Sequence, residues 1–249
     1  MRVPAANTLS RLELTGRVHT HVQHLDELGC MMHPQAASAL LAMRTAARQE
    51  GIDLTAVSGF RDINRQLLIW NGKFSGARAL LSAQDTPLDV RALSDAERVA
   101  AILVWSALPG ASRHHWGTDC DVIDRRALPP EARIELLSTD YGPGGRYARL
   151  SSWLSGHAHH YGFFLPYDRY RGGVQPEPWH LSFARVAVPA LAAMSVELLA
   201  EALSSVELAG RDAVMQELPN LFERHVTAVA EASEAALAAA ALSRATRLA

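Results

Sequence analysis

The run Gln175-Pro176-Glu177-Pro178-Trp179-His180 constrains the fold more than any other part of this 249-residue chain. It sets a carboxylate and an imidazole three residues apart, a pairing that can serve as general base and metal ligand. Its two prolines exclude a helix interior, because each removes a backbone donor and clashes with the preceding turn. The helical His-Glu-x-x-His arrangement of common zinc proteases is therefore ruled out. The pair has to be presented from a strand and the loop that enters it. Positions i and i+3 of a regular strand point to opposite faces, so a twist or bulge at Pro178 is required to bring Glu177 and His180 together.

The rest of the chain supplies short strands among unevenly spaced helices. Residues 52–58, 118–123, 163–165 and 179–183 read as strands. Pro34 opens a helical pattern through Leu40, Leu41, Met43 and Ala47, and Gly51 closes it. Further helices are expected over 63–73, from the Ser94-Asp95-Ala96-Glu97 capping box, from Pro129 and Pro130 toward Leu137, and over 149–161. The lack of regular βαβ alternation predicts an α+β fold, a small antiparallel sheet flanked by helices. Beyond residue 185, Ala, Leu and Glu dominate and Pro219 is the main breaker. Residues 1–185 thus read as the main domain and 186–249 as a C-terminal helical extension of two or three helices. These either pack on the domain or join two copies as a homodimer.

Composition removes several function classes. Lys and Arg number 24 against 26 Asp and Glu, so no broad phosphate-binding surface exists and no nucleic-acid partner is expected. Two cysteines, Cys30 and Cys120, exclude a disulfide framework and a four-thiolate zinc module. No apolar run approaches the ~20 residues of a membrane helix, so no membrane span is expected. No signal peptide is visible either, which predicts a cytoplasmic protein, with export by another route as the alternative. There is no G-x-S-x-G elbow, S-x-x-K pair, phosphate loop or dinucleotide fingerprint.

Eleven histidines remain to be sorted. The densest segment is Ser112-Arg113-His114-His115-Trp116-Gly117-Thr118-Asp119-Cys120-Asp121, at a loop-to-strand junction. Its imidazoles and carboxylates suit zinc. On the strand, Asp119 and Asp121 share a face and Cys120 turns to the core. A third segment, Ser58-Gly59-Phe60-Arg61, is followed by Gln66 one turn into a helix. An arginine at a strand end can hold a substrate carboxylate or a developing oxyanion. His157, His159 and His160 have no carboxylate or cysteine beside them in sequence and read as a solvated face. His19, His21 and His24 read as pocket edge or surface, and His115 as pocket wall or surface.

In this order the three segments resemble the zinc D,D-/L,D-carboxypeptidases of the VanY type (peptidase family M15), whose fold is shared with lysostaphin-type peptidases and the hedgehog signalling domain. The motif S-x-H-x-x-G-x-A-x-D falls on Ser112, His114, Gly117 and Asp121. The E-x-x-H motif falls on Glu177 and His180, and an S-G-Y-R-like motif on Ser58, Gly59, Phe60 and Arg61. The resemblance covers roughly residues 35–185. Two positions depart from it. Phe60 replaces the tyrosine, and Asp119 replaces the alanine, setting a rival carboxylate two residues from Asp121.

The resemblance implies one Zn2+ held by His114, Asp121 and His180, with the fourth position left to a water whose pKa falls to about 7. It makes Glu177 the general base and Arg61 the group that stabilises the oxyanion or grips the substrate. Gln66, Ser112 and Ser58 would contact substrate, Ser112 also bonding a metal ligand. The implied substrate is a peptidoglycan stem peptide or muropeptide that loses a terminal D-alanine, by L,D- or D,D-cleavage. Endopeptidase action on the same fold, and a zinc-stabilised binding domain without turnover, are the alternatives. A terminal carboxylate also requires a cation, for which Arg61, Arg113, Arg169 and Arg171 are candidates.

Overall fold

A computed structural model describes residues 9–242. A short helix α1 (Arg11–Leu14) and a hairpin of β1 (Gln23–Leu25) and β2 (Cys30–Met32) come first. At three or four residues each, they are too short to leave a periodic signal. Helix α2 (Pro34–Gln49) starts at its proline, and His33 Nδ1 accepts from the Gln35 N–H at 3.3 Å as its cap. Of the expected apolar positions, Leu40, Met43 and Ala47 are buried and Leu41 is half-buried. Next come β3 (Leu54–Ser58), α3 (Ile63–Phe74), α4 (Asp95–Leu103) and β4 (Asp119–Asp124). The capping box ahead of α4 forms, with Ser94 N–H donating to Glu97 Oε2 at 2.8 Å. The remaining elements are α5 (Ser138–Tyr141), α6 (Ala148–His157), β5 (Phe163–Phe164), β6 (His180–Phe183), α7 (Ala184–Ala192), α8 (Val196–Ser204), α9 (Arg211–Phe222) and α10 (Glu234–Leu242).

Four strands make an antiparallel sheet in the order β3-β4-β6-β5. Helices flank it, which is the α+β arrangement expected. Central β4 is buried along its whole length, including Asp119, Asp121 and Asp124. A register shift between Ala56 and Ser58 lets Ser58 pair with Asp121, which pairs in turn with His180. Those three residues form one row across the sheet.

Two expectations are corrected. No helix forms between Pro129 and Leu137, where the backbone is irregular and no residue is buried. Pro130 biases Pro129 toward extended backbone, and Ala132 and Leu136 pack only partly against the core. In the extension, α8, α9 and α10 are the three helices expected beyond residue 190, and α7 straddles its start, but the breaker is misplaced. Pro219 breaks none of them; it lies in the exposed last turn of α9, which runs on into a π-turn at Glu223–Thr227.

The extension shares the core of the sheet. Leu198, Leu199, Leu203, Val214 and Leu218 are buried within the same hydrophobic cluster as Trp70, Leu103 and Phe183. Trp70 Nε1 donates to Ala209 O at 2.9 Å, and Asn71 exchanges bonds with Glu207 O and Ala209 N–H at 2.8 and 2.9 Å. These apolar faces are covered inside one chain, so the homodimer through the C-terminal helices is not supported. Among the described residues no single helix is long and apolar enough to cross a membrane.

Candidate metal centre

Two glycines shape the approach to the site. A Cβ on Gly59 would lie 2.7 Å from Met31 O, so β3 can meet the β1–β2 hairpin only through glycine here. Gly117 closes the turn Arg113–Trp116 at φ 65°, left-handed backbone that costs glycine nothing. A Cβ there would also sit 2.9 Å from His33 N. Between these points His114 is buried, its Nδ1 2.8 Å from Gly59 O. The carbonyl can only accept, so Nδ1 carries the proton and Nε2 offers a lone pair.

That Nε2 lies 3.5 Å from Asp121 Oδ2. Across the β4–β6 pair, His180 Nδ1 lies 3.2 Å from Asp121 Oδ1. One ligand atom from each of the three residues falls within 4.8 Å of the others, and no other such group occurs among the described residues. Ligands about 2.1 Å from a tetrahedral zinc stand about 3.4 Å apart, close to these spacings. Asp121 Oδ1 is buried without a hydrogen-bond partner despite its nearness to His180, because the alignment is poor. A buried orphan oxygen facing two imidazoles is a donor set that fits a zinc ion.

Asp119 does not compete for this position. Its carboxylate is fully buried and accepts from Arg113 Nε at 2.8 Å, Thr118 Oγ1 at 2.7 Å, Ser182 Oγ at 2.9 Å and His180 Nε2 at 2.9 Å. The rival carboxylate of the sequence reading is therefore corrected to a partner of His180.

Glu177 and His180 meet through a turn instead of a strand twist. His180 N–H donates to Glu177 O at 3.0 Å, which folds the Glu177-Pro178-Trp179 step back before β6 begins. Glu177 Oε2 then lies 3.2 Å from His180 Nδ1.

The four groups are tuned apart. Burial, assisted by Arg61, pushes His114 down to about 3, so its imidazole is neutral and ready to ligate. Burial raises Glu177 from its ordinary value. Burial opposes charge on Asp121 too, but His114, His180 and Arg61 hold it at about 2. His180 goes the other way: burial opposes its charge, yet Asp119, Asp121 and Glu177 together raise it well above the ordinary value. A divalent cation held by His114, Asp121 and His180 would neutralise Asp121 and require the Nδ1 proton of His180 to leave.

The site opens into a cavity of about 270 Å³ whose wall includes Arg61, Lys73, Trp105, Tyr167, Glu177 and Trp179. Arg61 Nη1 donates to Gln66 Oε1 at 3.2 Å, and Gln66 Nε2 donates to Ala107 O at 2.8 Å. Gln66 is thus buried behind Arg61 rather than on the wall. Ser112 is on the wall, and its hydroxyl does not cap the turn it opens. Ser58 stands beside Asp121 in the sheet, off the wall.

Of the proposed carboxylate-binding cations, Arg113 is engaged with Asp119 and Ser182, Arg169 is exposed, and Arg171 pairs with Asp168. Lys73 was missed. Its Nζ donates to Ser106 Oγ at 2.8 Å on the cavity wall. The signal was present, since Lys73 lies two turns beyond Gln66 on the same helix face. Tyr167, whose ring packs 5.0 Å from that of His180, follows a proline in a loop and left no pattern to read.

Of the remaining histidines, His19, His24 and His160 are exposed, as expected, while others are packed. His115 is fully buried rather than a wall or surface group, bonding Arg61 O at 2.6 Å and the Gly110 N–H at 3.0 Å. His21 is buried against His115 O at 2.8 Å. His157 stacks on Trp153 with its ring partly exposed, and Glu50 comes within 3.6 Å of it from α2's end.

Residues 29–186 match the family model of VanY, described as D-alanyl-D-alanine carboxypeptidase. An uncharacterized protein of Haemophilus influenzae is 32% identical over 121 residues, 48% of this chain and 92% of its own length. Bacillus subtilis YodJ, provisionally named a carboxypeptidase, is 31% identical over 152 residues, 60% of this chain and 45% of YodJ. The solved structure of VanYB in complex with D-alanine-D-alanine aligns with a TM-score of 0.50 at 19% identity, covering 77% of this chain and 92% of that one. At that identity the likeness establishes the fold alone.

Proposed function

The chain belongs to the VanY D-alanyl-D-alanine carboxypeptidase family, and from that premise we propose that it is a zinc-dependent carboxypeptidase removing a terminal D-alanine from peptidoglycan stem peptides. The observation that carries the reading is the convergence of Glu177, Arg61 and the His114-Asp121-His180 donor set on one cavity. A zinc ion held by those three residues would supply Lewis acidity and lower the pKa of water to about 7.

The chain's own groups divide the remaining work. Glu177, with its raised carboxyl, takes a proton from the attacking water and returns it to the leaving amine. Arg61, held by Gln66, has a buried Nε without a partner and donates to the developing oxyanion. Lys73 pairs with the substrate's terminal carboxylate, the group that distinguishes an exopeptidase substrate from an internal bond. Trp105 and Trp179, stacked at 6.2 Å, provide an apolar wall that excludes water.

The test is incubation of zinc-loaded protein with tetrapeptide and pentapeptide muropeptides, with and without chelator. Release of a single alanine, suppressed by chelator, is expected. The preferred length separates L,D- from D,D-cleavage. Larger fragments would assign an endopeptidase, and unchanged substrates would overturn the enzymatic reading.

A further inference from the structure

We infer that Asp119 is a positioning residue for the metal ligand His180, fixing which imidazole nitrogen ligates and the plane in which it does so. The inference rests on the metal centre proposed above. The S-x-H-x-x-G-x-A-x-D motif has alanine at this position, where this chain has a carboxylate.

The argument is geometric. An ionised carboxylate only accepts, so the 2.9 Å contact from Asp119 Oδ2 requires the proton of His180 to sit on Nε2. With Nε2 so committed, Nδ1 is the only ring nitrogen that can give up its proton and ligate, and it lies 3.2 Å from both Asp121 Oδ1 and Glu177 Oε2. Asp119 itself cannot swing. Arg113 Nε holds Oδ2 at 2.8 Å, while Thr118 and Ser182 hydroxyls hold Oδ1 at 2.7 and 2.9 Å. Arg113 Nη2 also donates to Ser182 Oγ at 2.6 Å, and all four residues are buried. A carboxylate needed only to neutralise Arg113 would have no reason to face an imidazole. Carboxylates that hold a ligating histidine this way typically govern metal affinity by 10–100-fold.

The test compares the full-length wild type with Asp119→Asn, which keeps the side-chain shape. Zinc dissociation constants come from competition with a chelator of known affinity. The visible spectrum of the cobalt(II) form and the melting of the metal-free protein are recorded alongside. A dissociation constant raised about 10–100-fold, a shifted cobalt spectrum and a nearly unchanged metal-free Tm support the inference. Unchanged zinc affinity with a lowered metal-free Tm would reduce Asp119 to a structural partner of Arg113 and overturn it. The double variant Arg113→Met/Asp119→Ala removes both charges and guards against misfolding of the single one. Weak zinc binding there again supports positioning, and wild-type affinity refutes it. A wild type that binds no zinc overturns the centre and this inference together. One that binds zinc tightly without peptidase turnover overturns only the proposed function.

Discussion

Replacing Glu177 by Gln separates the base from the metal site. The substitution keeps the side chain's size in a buried position and removes its ability to take a proton. Glu177 is outside the three-residue donor set, so the variant should take up as much zinc as the wild type. A general base contributes about 10²–10⁴ in rate, equivalent to about 2.7–5.4 kcal/mol of barrier at 1.36 kcal/mol per tenfold. We expect kcat for alanine release to fall by that factor, with zinc content followed by atomic absorption. The pH profile adds a second readout. Burial raises Glu177 above 4.5, and the carboxylate loses its function as pH falls through that raised value. The acid limb of kcat/KM in the wild type therefore lies above pH 4.5 and vanishes from the residual activity of Glu177→Gln. The linkage sign also follows. A carboxyl with a raised folded-state pKa stabilises the fold below its unfolded value and loses that contribution as pH rises through the folded one. Metal-free Glu177→Gln should thus be at least as stable as the wild type at neutral pH. Turnover within tenfold of wild type, with zinc retained, would refute the assignment of the base; loss of zinc would refute its separation from the ligands.

Further outcomes are expected. Chelation should abolish turnover and lower Tm, with zinc restoring both; at a hundredfold excess over Kd the ion contributes about 2.7 kcal/mol. Its affinity should weaken as pH falls, because the raised His180 must release its Nδ1 proton to ligate. Lys73→Met should raise KM about tenfold or more for peptides with a free terminal carboxylate, since a charged hydrogen bond is worth about 1.5–3 kcal/mol. Peptides amidated at that end should be processed alike by both proteins, and an equal loss on the two substrates would argue against the carboxylate contact. Trp70→Ala should cost about 3–5 kcal/mol in denaturant unfolding, because the ring is fully buried between α3 and the loop at Ala209. Removing residues 187–249 should destabilise the remainder still more, and a truncated protein that melts like the whole chain would refute the shared core.

The positions of the chemistry were legible because the relevant signals are local. Pro34 and Gly51 bound α2 by their backbone restrictions, and the capping box announced α4. Prolines around Glu177 excluded a helix without reference to any other part of the chain. Alternation on β4 placed Asp119 and Asp121 on one face. The same local logic failed at residues 129–137, where a second proline favours extended backbone at the expected helix start, and it was blind to the three-residue strands of the hairpin.

What the sequence by itself determined was the candidate ligand types, the order of the motifs and the mixed α+β character. Those follow from side-chain chemistry and from periods of two and 3.6 residues. Only the tertiary structure decided what each carboxylate does. Asp119 and Asp121 sit two residues apart on one strand face, so pattern alone makes them rivals. They diverge because Arg113, Thr118, Ser182 and the far nitrogen of His180 occupy every acceptor site of Asp119, while one oxygen of Asp121 is left buried and unpartnered. His180 lies 61 residues away along the chain. The pairing of β4 with β6 is what joins it to both carboxylates, one on each ring nitrogen.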